Sequence, residues 1–204
     1  SVNIKERIDF SGAVFDAQGQ LVANAPHMPV HLGSMDRSVE TVIRMNEGRL
    51  KPGDVYMLNA PYNGGTHLPD VTMVSPVFVS DAVRFFVASR AHHADVGGMS
   101  PGSLPLSTEL YQEGLILPPV KLVEAGKVSE TLLKIITANS RAPQERLGDI
   151  EAQLAAQRVG ERRLLGLGGT HGLETMQAHS DALLDYSRLM TEAVIAAIPD
   201  GVYT

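Results

Sequence analysis

The sequence predicts an α+β chain, with a β-rich first half carrying histidine loops (residues 1–128) and a helical second half (129–204). Two observations predict it. Short runs rich in β-branched and aromatic residues, Val55–Leu58, Val71–Val79 and Val83–Ala88, are punctuated by Gly- and Pro-containing turns. After Ser129 the apolar residues recur at helical spacing. Leu147, Ile150 and Leu154 share a face, and Met176, Leu183, Met190 and Ala197 fall seven apart.

Taken in order, Ala13–Phe15 and Leu21–Ala23 flank an Asp-x-x-Gly turn and read as a β-hairpin. Residues 24–33 hold Pro26 and Pro29, so they are expected to form a loop, which carries His27 and His31. Met35, Val39, Val42 and Ile43 line one face of a helix over Ser34–Asn46, with Gly48 as its stop. Val55–Leu58 is a strand. In Val71–Val79, Pro76 predicts a sheet edge or a bulge. Val83–Ala88 is the next strand, and a long ordered loop through Gly97, Gly98, Pro101 and Pro105 follows. Val120–Val123 is extended. Ser129 caps a helix through Ile136. A second helix is expected from Pro143 to Leu167, ended by Gly166, Gly168 and Gly169, and a third from Leu173 to Ile198. No internal repeat is present. The chain opens on Ser1 and closes just after a helix-stop signal, so both ends are expected to be internal to a longer protein.

Composition narrows the function. Of 204 residues 44% are apolar, enough for a real core, while the net charge of −6 and the lack of a Lys/Arg run argue against a nucleic-acid partner. Cysteine is absent, which removes thiolate chemistry and disulfides and fits a reducing compartment such as the cytoplasm. No apolar run is long enough to span a bilayer. No Gly-x-x-x-x-Gly-Lys-Ser/Thr occurs, so no ATP site is expected in this chain.

Chemistry concentrates in two Gly/Pro-wrapped loops, each next to strand-forming residues. Asn59–Asp70 carries His67 and Asp70, and Ala88–Gly98 carries His92, His93 and Asp95. Imidazole with carboxylate is the donor chemistry of Zn²⁺, Mn²⁺ or Fe²⁺. Gly64, Gly65 and Pro69 exclude a helix at His67-x-x-Asp70, so that pair must converge on a turn. The plainer reading has His67 as a turn donor and Asp70 as an amide cap. Adjacent histidines at a strand end face opposite sides, so one can point at a metal and the other away, and Asp95, two residues past His93, is expected to orient that ring. His27 and His31 on a proline-braced loop suit a substrate pocket, or else a solvent-facing turn. Glu113 and Asp54 are further acid/base candidates, or else solvated or capping carboxylates.

The blocks Asn3–Arg7, Asp9–Ser11, Ala25-Pro-His-x-Pro-Val-His-Leu-Gly-Ser-Met35, Gly64-Gly-Thr-His-Leu-Pro-Asp70, Ser89-Arg-x-His-His-Ala-Asp-x-Gly-Gly98 and Gly148-Asp-x-x-Ala-Gln153 resemble the hydantoinase B/5-oxoprolinase family over nearly the whole chain. The resemblance implies ATP-driven opening of a cyclic amide such as a hydantoin or 5-oxoproline. The resemblance further implies an ATPase A part, separate or fused, that phosphorylates the amide oxygen, and a B part that completes hydrolysis. This chain is similar to the amino-terminal portion of a B part. The related acetone carboxylase large subunit carries a metal on His-x-x-Asp and a later His, which by motif gives His67, Asp70 and His92. His93 and Asp95 then become candidates to orient ligands or move protons, and His27, His31 and Glu113 to contact substrate. Implied alongside are a divalent metal, ATP used at the partner, and a hetero-oligomer. The alternatives are a ketone carboxylase large-subunit homologue and a structural segment inactive alone. Gly12 stands where family members often have Cys, Gln112-Glu113-Gly114 replaces a commoner Glu-Glu-Gly, and Ala91 stands where Gly is frequent.

Overall fold

A one-turn helix α1 (Val2–Lys5) leads into a hairpin of β1 (Phe10–Asp16) and β2 (Leu21–Asn24), in a computed structural model that describes residues 1–24 and 28–202. Asp16 makes this turn. Its Oδ1 accepts from the backbone N–H groups of Gln18 and Gln20 at 3.0 and 2.7 Å, and Gly19 supplies a φ of 85°. The expected loop that follows contains a single helical turn, α2 (Pro29–Leu32), with Pro29 in the first turn, where its missing N–H costs nothing. Then come α3 (Met35–Met45), β3 (Val55–Leu58), β4 (Asp70–Val79) and β5 (Ala82–His92). Ser80 and Asp81 join β4 to β5 with φ values of 49° and 62°, the paired left-handed geometry of a tight hairpin turn. Next are β6 (Val120–Glu124), β7 (Lys127–Val128), α4 (Glu130–Ala138), α5 (Pro143–His171) and α6 (Leu173–Ala196). The Ser129 side chain accepts from the Leu132 N–H, the cap expected from sequence.

Among the described residues, seven strands form one antiparallel sheet in the order β2-β1-β5-β4-β3-β6-β7. Helices cover both faces. On one, Phe15, Tyr56, Leu58, Val74 and Phe86 pack under Met35, Val39 and Val42 of α3. On the other, Val55, Met57, Val71 and Met73 pack against Ile136 of α4 and Ile150 and Leu154 of α5. Fully burying side chains of this size stabilises by roughly 1.5–3 kcal/mol each, so the two layers fix the sheet from both sides. Pro76 lies in a central strand. The β3 ladder reaches only to Val74, however, and the register against β5 shifts at Val77/Phe78, which is the expected bulge.

The glycines do not end α5 where expected. The helix runs through Gly166, Gly168 and Gly169 and stops at Gly172, whose φ is 83°. Each glycine costs about 1 kcal/mol of helix propensity. At Gly168 the compensation is close packing, since a Cβ there would meet Leu173 Cδ2 at 2.9 Å. In α6, Met176 packs on Val77, Phe85 and Val87, whereas Leu183, Leu189, Met190 and Val194 are exposed.

Candidate metal centre

His67 and Asp70 converge because residues 67–70 close a turn, with Asp70 N donating to His67 O at 3.0 Å. The approach to that turn is tight. A Cβ on Gly64 would sit 2.4 Å from Ser38 N, and one on Gly65 would sit 2.3 Å from Asn59 O, so neither position has room for a side chain. Asn59 braces the same loop, donating to Leu68 O and Leu115 O and accepting from Leu117 N. Asp70 opens β4 and pairs in register with His92 at the end of β5. Side chains directly opposite on antiparallel strands share a face, which brings the two together.

Asp70 is the centre of the cluster. Its Oδ2 lies 3.0 Å from His67 Nδ1 and 3.3 Å from His31 Nε2 and accepts from Thr66 Oγ1, while its Oδ1 lies 3.0 Å from His92 Nδ1. Burial alone would raise its pKa. The bonds from His31, His67, His92 and Thr66 outweigh that and hold the carboxyl well below the usual range. His67 is raised, chiefly by its bond to Asp70, with Asp9 and Glu113 adding at longer range. The His67 and His92 rings stand 5.0 Å apart. Asp70 and His92 are buried, and the His67 side chain, 32% exposed, is the most exposed of the three.

This donor set fits a divalent cation. One nitrogen from each of His67 and His92 and one oxygen of Asp70 all lie within 4.8 Å of one another. The two imidazoles reach different oxygens of the Asp70 carboxylate, Oδ2 for His67 and Oδ1 for His92, each at 3.0 Å.

The other expected residues are placed differently. His93 projects from the opposite face of β5, is fully buried, and lies 2.8 Å from Gln153 Oε1 on α5 through its Nε2. Burial and the Arg146 guanidinium push its pKa down to about 4. It therefore stands behind the sheet from the cluster. Asp95 does not orient His93. Its carboxylate accepts from the N–H groups of Gly97 and Arg141, the Ser140 hydroxyl and the Arg141 guanidinium. Burial would raise its pKa, but these bonds hold it low, and its work is to tie the 95–98 loop to the start of α5. Asp54 is likewise structural, accepting from Ala125 N and pairing with Lys121. Glu113 accepts from Ser107 Oγ and acts on His67 through space, which puts it near the rim. His31 does not face solvent. It is 1% exposed and turned onto Asp70. His27 lies outside the described residues.

Four contributors were missed in the sequence. Asp9 Oδ2 comes within 4.0 Å of His92 Nδ1, and Asp9 O accepts from His92 N. Ser11 Oγ lies 2.9 Å from His31 Nδ1. Thr66 bonds Asp70. Arg90 is fully buried and donates to Thr72 Oγ1, Ser34 Oγ, Ser38 Oγ and Gly64 O. It thereby ties β4, α3 and the glycine turn to the strand that ends in His92. Burial lowers its pKa to about 10, so it stays charged. The signal for Arg90 was a charge two residues before His92, on the same strand face, inside an apolar run.

By fold and donor set, the molecule is an α+β protein presenting a candidate two-histidine, one-carboxylate centre at the end of an antiparallel sheet. The chain belongs to the hydantoinase B/oxoprolinase family, whose model matches residues 1–204. It is 44% identical over 195 residues to 5-oxoprolinase of Saccharomyces cerevisiae, covering 90% of this chain and 15% of that protein. It is 36% identical over 207 residues to the putative B component of a D-/L-hydantoinase, named as one of that enzyme's subunits, from Pseudomonas sp. strain NS671, covering 98% and 35%. The crystal structure of the ATP-dependent caprolactamase of Pseudomonas jessenii superposes with a TM-score of 0.90 at 33% identity, over 95% of this chain and 34% of that one. The chain thus spans roughly a third or less of the proteins it matches. No helix among the described residues is long and apolar enough to cross a membrane.

Proposed function

We propose that this chain is the metal-bearing part of the B component of an ATP-dependent cyclic amide hydrolase, acting with an ATPase A component on a 5-oxoproline- or hydantoin-like ring. The observation that carries the reading is the convergence of His67, Asp70 and His92 at spacings that suit one divalent ion, in a member of a family named for that chemistry. The Pseudomonas relative, named as one subunit of a hydantoinase, supports a multi-subunit assembly, and the cysteine-free composition is compatible with a cytoplasmic setting.

His67, Asp70 and His92 would hold the ion. When bound, such an ion supplies a Lewis acid for a carbonyl or phosphoryl oxygen and lowers the pKa of a coordinated water. The chain's own residues set the stage around it. Asp70 stays ionised at any physiological pH. His67 is the partly exposed member, so substrate approaches from its side. Glu113, near that rim and held by Ser107, is proposed as a substrate contact or proton acceptor. An unactivated amide is a poor electrophile. Phosphorylation of its oxygen by the partner would leave this site only water delivery and charge stabilisation to provide.

Elemental analysis of the purified protein, followed by reconstitution with its ATPase component on 5-oxoproline, hydantoin and acetone, tests the reading. Stoichiometric metal and ATP-dependent ring opening are expected. Metal-independent activity, or turnover of acetone alone, would overturn it.

A further inference from the structure

His31 differs from the other histidines that touch Asp70. Pro29 and Val30 of the same helical turn are exposed while His31 is buried, so α2 turns a polar ring inward. Both ring nitrogens are engaged, Nδ1 2.9 Å from Ser11 Oγ and Nε2 3.3 Å from Asp70 Oδ2. His31 is not one of the three donors that lie within 4.8 Å of one another, so it touches the cluster through Asp70. An ionised carboxylate only accepts, so Nε2 carries the proton. In the neutral ring Nδ1 then holds a lone pair, which the Ser11 hydroxyl can fill. Ser11 is fully buried on β1, paired with Arg90 of β5, so this hydroxyl is fixed to the same sheet that carries His92.

We propose that Ser11 and His31 form a positioning pair, in which Ser11 sets the tautomer of His31 and His31 Nε2–H fixes the rotation of the Asp70 carboxylate toward the ion. The proposal rests on the metal reading above. A ligating carboxylate whose second oxygen is hydrogen-bonded keeps its orientation, and losing such a partner typically weakens metal binding 10–100-fold. Thr66 holds Oδ2 as well, so removing His31 should weaken the site without abolishing it. His31 is thereby reassigned from the substrate pocket to the support of a ligand.

Titration of the full chain with Co²⁺ and Mn²⁺ tests this, using His31→Leu, His31→Gln, Ser11→Ala and His67→Ala. His31→Leu is expected to weaken binding about 10–100-fold and to alter the Co²⁺ visible spectrum. His31→Gln, whose amide N–H can reach Asp70, should recover most of the affinity, a rescue that a purely structural role would not predict. Ser11→Ala should shift affinity the same way by less. If wild type binds, His67→Ala does not, and His31→Leu matches wild type in affinity and spectrum, the positioning role is overturned while the metal reading stands. If wild type binds no metal, or His67→Ala binds like wild type, the metal reading fails and this one with it. Should His31→Leu not fold, Ser11→Ala decides, and wild-type affinity and spectrum there would overturn the pair.

Discussion

His92 and His93 are neighbours in sequence and opposites in surroundings. His92 looks onto the α3 side of the sheet, where Asp70 and Asp9 supply negative charge. His93 looks onto the α5 side, where Gln153 holds it and the Arg146 guanidinium lies nearby, itself paired with Asp149 at 2.7 Å. In the proposed centre the first imidazole would receive a cation, while burial and the Arg146 guanidinium keep the second a neutral packing group. Strand alternation, one residue's step, decides which. A charged or metal-coordinating role is thus a property of the sheet face and its carboxylates more than of histidine itself.

The largest break in that comparison should come from paired alanine substitutions. His92→Ala, which removes a proposed ligand, should abolish measurable divalent metal binding as His67→Ala should. His93→Ala should leave metal affinity unchanged within about twofold and instead cost about 2 kcal/mol or more of stability, through a cavity and a Gln153 Oε1 left without its partner. Calorimetric metal titration and urea denaturation of the two proteins read both effects. Equal metal loss in both would erase the distinction between the faces.

Arg90→Met should come next. It leaves Ser34, Ser38, Thr72 and Gly64 O short of a buried donor, and a loss of about 3 kcal/mol of unfolding free energy in urea denaturation is expected. His67 should become mobile, visible as faster amide exchange over residues 64–67, while α5 keeps its protection.

The smallest effect belongs to Asp95. Asp95→Asn should cost about 1–2 kcal/mol near neutral pH and leave metal binding intact. The folded carboxyl sits below its unfolded value of about 3.9. Its contribution is therefore fully present above that value and is lost as pH falls through the lower, folded one. The stability gap between wild type and variant should accordingly close below about pH 4. A gap independent of pH would show that the ionised form is not what the loop requires.

Much of this was legible in the sequence because it was local. Runs such as Val55–Leu58 and the stripe through Leu147, Ile150 and Leu154 announce their elements by period, and the His67-x-x-Asp70 turn follows from excluding a helix at Gly64, Gly65 and Pro69. The failures are tertiary. Nothing in residues 29–32 says that His31 will be buried against a carboxylate 39 positions on, since its burial depends on α3 docking. Asp95, two residues from His93, looked like its partner. The chain turns at Gly97 instead and delivers the carboxylate to Arg141. The glycines of α5 read as stops because propensity alone cannot anticipate the close approach of Leu173.

The hairpin of β4 and β5 has a consequence for how such a centre comes into being. Its tight turn at Ser80–Asp81 pairs Val79 with Ala82 and, at the far end of the same ladder, Asp70 with His92. Antiparallel zippering from a two-residue turn is among the fastest non-helical events in folding, because little chain entropy is lost at each step. Two of the three donors, along with the turn that carries His67, therefore become neighbours as soon as one contiguous stretch of chain zips. His31 arrives later, with the docking of α2 and α3.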